Sequence, residues 1–265
     1  MTARERLGGL LAGGLTGIAG GIFGVGGGLV LVPVLTGFFR LTQHQAHGTS
    51  LAVIGATAIA AILVYGSHAN IEWSTAALIA LGTLASARLG ARWGSRLPAQ
   101  RLRRMFAAFM ALVGVRLLWQ VPAIGAGTAL PGVAEVAVKV LLGLAAGTLA
   151  GLMGVGGGIV VVPVLTLVFG LSQQAAQGTS LAVMVVTAPS AAFEHSRHGN
   201  VVWRFVPMLA LGAAFGAPLA SWAVQGMPHV WLVRAFALFT LATAIHTWVR
   251  TPEEVSSGDD RVRSD

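Results

Sequence analysis

The chain has 265 residues, of which 55% are hydrophobic and only 10% charged, with a mean hydropathy of +0.78 and a formal net charge of +8. A soluble domain carries about 25% charged residues, so this composition argues against a soluble globular protein and places the chain in a lipid bilayer. The 17 basic residues fall in short gaps between apolar runs and not along an aromatic-interleaved stripe, which argues against nucleic acid as a partner; the lack of cysteine excludes disulfides, thiolate chemistry and Cys-ligated metal.

The N-terminal stretch MTARERLGGLLAGGLTGIAGG has the basic, apolar and small residues of a signal peptide. It runs straight into a longer apolar block and is therefore expected to be retained. That first block covers 7–39 and is followed by apolar blocks over 45–66, 73–94 and 101–120. A second series, 136–169, 175–193, 205–225 and 230–249, repeats the order. Residues 7–39, 41–71 and 140–193 contain no Asp, Glu, Lys or Arg, and each run exceeds the roughly 20 apolar residues that cross a bilayer core. The tail 251–265 is polar and predicted to be a disordered cytoplasmic segment.

The two series are a duplication. Residues 21–58 return 130 positions later as residues 151–188, with 24 of 38 positions identical. Both copies keep GVGGG, VPVLT and GTSLAV. The same offset pairs His68 with His198, Asn70 with Asn200, Trp73 with Trp203, Pro98 with Pro228 and Arg104 with Arg234. Repeat one spans about 7–120 and repeat two about 136–250, within a single membrane domain over 1–250. Two copies of a long apolar unit are the plan of many secondary transporters.

As one helix, the first block of each copy would be about 50 Å long, well beyond a hydrocarbon core of about 30 Å. A break is expected at Gly24, Gly26, Gly27 and Gly28, and at Gly154, Gly156, Gly157 and Gly158, where glycine removes helix propensity and permits positive φ. Two short arms would then form a hairpin that starts and ends on one side. With such hairpins, every basic residue except Arg116, Lys139 and Arg234 lies on the cytoplasmic side, including the arginine cluster from Arg88 to Arg104. A single crossing would place that cluster outside, against the positive-inside tendency. The predicted fold is thus an all-α integral membrane protein of two inverted-topology repeats. Each repeat is a glycine-broken helical hairpin plus three transmembrane helices, and both termini are cytoplasmic.

Unwound backbone inside a bilayer survives only where protein buries it or a cavity adjoins it. The glycine clusters therefore mark the expected substrate path, with helix N-termini offering N–H groups to an anion; the alternative is that they serve close helix packing. GVGGG lacks the Lys-Ser/Thr of a phosphate-binding loop. Thr49, Ser50, Thr179 and Ser180, in matching GTS triplets, either coordinate an oxyanion or cap helices. Thr36 and Thr166 are expected to bond their own helices, and Pro33 and Pro163 to kink or end them. Carboxylates are scarce in the apolar segments. Glu194, His195 and His198 form either a proton-accepting group or a solvated loop. His44 and His47 stand opposite Gln174 and Gln177 and mark a difference between the halves. Arg116 and Arg234 are expected to snorkel. The small residues Ala80, Gly82, Ala85 and Gly90 suit packing within the chain or between chains.

In its duplicated GVGGG, VPVLT and GTSLAV runs the chain resembles the sulfite exporter (TauE/SafE) family of bacterial membrane permeases, over nearly its whole length. The resemblance implies an inner-membrane transporter of small sulfur-containing anions such as sulfite or an organosulfonate, with the glycine loops and GTS triplets as site residues. Backbone N–H groups and hydroxyls suit an oxyanion, and the scarcity of intramembrane acids disfavours a metal cation. No cofactor is implied. An unrelated small anion as substrate and a non-transporting role as an assembly partner are the alternatives. An intramembrane enzyme is disfavoured by the lack of cysteine and buried acids.

Overall fold

The computed structural model describes residues 3–93, 99–128, 131–154 and 156–249. The described residues form ten helices and no strand. Repeat one contains α1 (Ala3–Phe23), α2 (Gly28–Gly37), α3 (Gln43–Ser67), α4 (Trp73–Trp93) and α5 (Ala99–Trp119). Repeat two matches it with α6 (Gly132–Met153), α7 (Gly158–Leu167), α8 (Gln173–Arg197), α9 (Val206–Gln225) and α10 (His229–Val249). The tail 251–265 lies outside the described residues, as do the side chains of Arg88, Arg92, Arg96, Arg101 and Arg103.

Both long blocks break at their glycines. Gly24, Gly26 and Gly27 take φ of 67°, 69° and 78°, and Gly154, Gly156 and Gly157 take 66°, 82° and 78°, a region open to glycine and costly for other residues. The chain then folds back. Phe38, past the end of α2, has its Cε1 2.8 Å from where a Cβ on Gly8 would stand, so the hairpin returns to the side on which it began. In the second copy Lys139, near the start of α6, lies over the Phe169 ring past the end of α7. The arms are unequal, contrary to the expectation of two short ones: α1 and α6 have 21 and 22 residues, α2 and α7 ten each. Ten residues rise about 15 Å, half a hydrocarbon core.

The prolines do not end the short arms. Pro33 and Pro163 sit inside α2 and α7, and Thr36 and Thr166 share their hydroxyl protons between carbonyls three and four residues back. The GTS triplets do not cap helices either. α3 is capped by Thr42, whose Oγ1 accepts from Gln45 N while Gln45 Oε1 accepts from Thr42 N, and α8 by Ser172, whose Oγ accepts from Ala175 N. These caps start both helices earlier than the hydrophobic pattern does, leaving the triplets two turns inside.

Among the described residues, six helices are long and apolar enough to cross a membrane: α1, α3, α6, α8, α9 and α10. α4 and α5 contribute shorter apolar stretches, Trp73–Ala87 and Ala107–Trp119, because the arginine-rich segment occupies the ends where they adjoin. Large side chains on the outer faces, among them Leu63, Leu112, Phe215 and Trp222, are exposed, as a lipid-facing surface requires. Arg116 donates to the Gln120 carbonyl at the end of its helix and Arg234 is exposed.

The repeats interlock. α1 packs along α9 and α6 along α4, α3 crosses α8, α3 also meets α9 as α8 meets α4, and α5 pairs with α10. Each of these contacts has a counterpart under exchange of the repeats, consistent with inverted copies. Without a hydrophobic drive between helices in lipid, association rests on close packing. Gly13, Gly17 and Gly21 of α1 lie against Leu209, Ala213 and Ala217 of α9, and Gly143 and Gly147 of α6 against Ile79 and Thr83 of α4. Gly82 and Gly90 face α6 of the same chain, whereas Ala85 is exposed.

One clasp holds the connection between repeats. Gly125 N donates to Gly170 O and Thr128 N to Val168 O. His229 accepts from Gln173 N at Nδ1 (3.0 Å) and so donates from Nε2 to the Pro122 carbonyl (3.0 Å). Only the neutral ring with its proton on Nε2 makes both bonds. His229→Ala is expected to cost about 1–3 kcal/mol for the two bonds, read as lower resistance to denaturant in micelles. Stability equal to that of the parent protein would show that the clasp contributes nothing.

Candidate functional site

The two glycine loops reach the middle of the α3–α8 crossing from opposite repeats. A Cβ on Gly24 would stand 2.6 Å from Gln177 Cα, and one on Gly154 2.6 Å from His47 Cα. Deeper in, the loops converge. A Cβ on Gly26 would stand 2.6 Å from Ile54 Cγ2 and 2.9 Å from Met184 Sδ; one on Gly156 would meet the same atoms at 3.3 and 3.4 Å. Ile54 and Met184 are themselves 130 residues apart and occupy matching positions, so both loops end on one apolar pair at the pseudo-two-fold centre. Gly27 and Gly157 then open α2 and α7 with no side-chain cap on either helix. The first N–H groups of both short arms are left without a side-chain acceptor, at the helix ends that favour negative charge.

The triplet threonines reach across the repeats. Thr49 Oγ1 accepts from Val202 N, before α9, and Thr179 Oγ1 accepts from Glu72 N, before α4, each at 3.0 Å. They fasten the turn that precedes the other repeat's fourth helix. The triplet serines differ. Ser180 Oγ donates to the Gly24 carbonyl at 2.8 Å, but the buried Ser50 Oγ has no hydrogen-bond partner among the described residues. Gly158 lies beside both Ser180 Oγ and the Gly24 carbonyl.

Glu194 and His195 are not in a solvated loop. Both are buried, at 4% and 7% exposure, in the last turns of α8, and exposed His198 forms its C-cap. His198 Nδ1 donates to the Glu194 carbonyl (2.8 Å) and His195 Nε2 to the Gly151 carbonyl (3.2 Å). The counterpart of His195 is Tyr65, which hydrophobic patterning alone does not reveal: its hydroxyl donates to the Gly21 carbonyl (2.7 Å), with Gln177 Oε1 3.1 Å away. Ser221 lies beside Gly21, and neither its Oγ nor Gln177 Nε2 has a partner among the described residues. The donors around the loops are thus hydroxyls, amides, backbone N–H groups and imidazoles. Among the described residues no three of His, Asp or Glu gather as metal ligands would.

The sequence profile of the family Sulfite exporter TauE/SafE matches residues 1–117 and 139–264. A "Probable membrane transporter protein" of Xylella fastidiosa is 28% identical over 258 residues, covering 93% of this chain and 96% of the relative. The "Probable membrane transporter protein YunE" of Bacillus subtilis is 26% identical over 231 residues, covering 80% of this chain and 85% of the relative. No solved structure matches the chain. With two profile segments that each take in one glycine hairpin and its GTS triplet, the chain belongs to the TauE/SafE sulfite exporter family and is a multi-pass membrane transporter.

Proposed function

We propose that this transporter exports sulfite or a related organosulfonate across the bacterial inner membrane by alternating access between inverted repeats, with both termini cytoplasmic. The observation that carries this reading is the convergence of both glycine loops on Ile54 and Met184. Two uncapped helix starts flank one apolar pair, so an anion leaving one set of N–H donors passes to an equivalent set. Gly24, Gly26, Gly27, Gly28, Ser50 and Ser180, with Gly154, Gly156, Gly157 and Gly158, line that path. Thr49 and Thr179 hold the flanking turns in register with it. Neutral donors suit a small oxyanion, which must shed water without meeting a fixed countercharge that would trap it. An inside-negative voltage favours exit by about 2.3 kcal/mol per charge per 100 mV.

The test is radiolabelled sulfite flux in proteoliposomes under separately imposed voltage and pH gradients, with sulfate and an organosulfonate as competitors. Saturable sulfite flux above that of protein-free vesicles, displaced by the organosulfonate, is expected. Flux of an unrelated anion alone would overturn the substrate, and no flux of any anion would overturn the transport reading.

A further inference from the structure

The two ends of the α3–α8 pair are built alike and equipped differently. At one end Gln177 on α8 and Tyr65 on α3 hold the first glycine loop, Gln177 against Gly24 and the Tyr65 hydroxyl on the Gly21 carbonyl. At the other end the matching positions carry His47 and His195. His47 lies against Gly154, His195 bonds the Gly151 carbonyl, and His195 Cβ is 3.0 Å from where a Cβ on Gly48 would stand. His195 thus lies beside the residue that follows His47. One loop is therefore held by an amide and a phenol, which keep their charge between pH 5 and 8. The other is held by two imidazoles, the side chain whose unperturbed titration falls in that range.

We propose that His47 and His195 form a proton-binding site of the transport cycle, charging as an anion passes the second glycine loop. This rests on the anion-transport reading above and differs from a Glu194–His195–His198 group in making His47 the partner of His195. Exposed His44, one turn before His47, and exposed His198, just past the end of α8, give protons a route from the surface. Gln43 Nε2 donates to His47 Nε2 at 2.8 Å; a half-turn of the amide presents Oε1 to the protonated ring, so the contact holds in both states. His195 donates from Nε2, leaving Nδ1 to take up a proton. An imidazolium here adds positive charge beside the uncapped start of α7, where an anion is already favoured.

The charged groups that act on the pair are His44 from α3 and Glu194 and His198 from α8. α4 packs along α8, and Arg40, Arg197 and Arg204 are exposed. α6 presents the Gly151 carbonyl and Gly154.

The decisive variant is His47→Gln/His195→Tyr, which installs the residues that the other end already accommodates. In sulfite-loaded proteoliposomes at zero voltage, a one-unit pH gradient should shift the steady-state sulfite distribution set by the parent protein by up to about tenfold, the limit for one proton per anion. The double variant should respond by less than about twofold. A variant that keeps the full pH response overturns the proposal. Parent flux that follows voltage but ignores pH overturns it too, with the transport reading intact. A parent protein that moves no anion overturns the transport reading and this proposal with it; if only the folded variant moves none, imidazole 15N resonances of the parent and the single variants decide. Titration of both rings, with the midpoint of one moved by removal of the other, supports the site. Independent titration, or none, overturns it.

Discussion

Gly26→Leu is expected to abolish the proposed sulfite flux while the protein still inserts, and Gly156→Leu is expected to do the same with less damage to the fold. Two effects act at these positions. Both glycines have positive φ, which costs an L-residue roughly 1–2 kcal/mol. A side chain at either must also displace Ile54 and Met184, the pair on which both loops close. The displacement is unequal: the Cβ at Gly26 would stand 2.6 Å from Ile54 Cγ2, against 3.3 Å at Gly156. Alanine separates the cases. Gly156→Ala needs its neighbours to yield by a few tenths of an ångström and should retain measurable flux, whereas Gly26→Ala forces Ile54 or the loop to move and should lose most of it. The measurement is initial flux per inserted molecule, with insertion read by protease protection. Normal flux in both leucine variants would remove the loops from the substrate path and leave them as packing devices.

How much of this was legible before folding depends on how local each signal is. The hairpin was legible because an apolar block of that length cannot cross as one helix. The unequal arms were not, because the depth of the loop is set by where Gly27 meets Thr16 on α1, a contact without a periodic signature. The 130-residue offset identified the GTS triplets as paired, and they are. Their threonines looked like caps or ligands because nothing local reveals that Thr49 reaches Val202 and Thr179 reaches Glu72. Ile54 and Met184 are not legible in the sequence, because apolar residues in apolar helices carry no chemical flag. The mismatch of His47 with Gln177 was visible, but Tyr65 and His195 were not matched to them, since each pair meets only where α3 crosses α8.

The triplet serines provide the sharpest separation of structure from function. Ser180→Ala removes the donor to the buried Gly24 carbonyl, and an unpaired buried acceptor costs about 1–3 kcal/mol; this variant should unfold at lower denaturant concentration. Ser50→Ala removes a buried hydroxyl with no partner among the described residues, so its stability should equal or slightly exceed that of the parent protein. On the proposed reading that idle hydroxyl is a donor waiting for the anion. A hydrogen bond to a charged group contributes about 1.5–3 kcal/mol, so Ser50→Ala should raise the KM for sulfite by about tenfold or more without loosening the fold. The stability loss and the affinity loss should therefore appear in different members of a pair that the duplication made identical. Ser50→Ala with unchanged KM would exclude Ser50 from the substrate site. A lowered unfolding midpoint in Ser50→Ala would instead show that Ser50 fastens the second loop as Ser180 fastens the first.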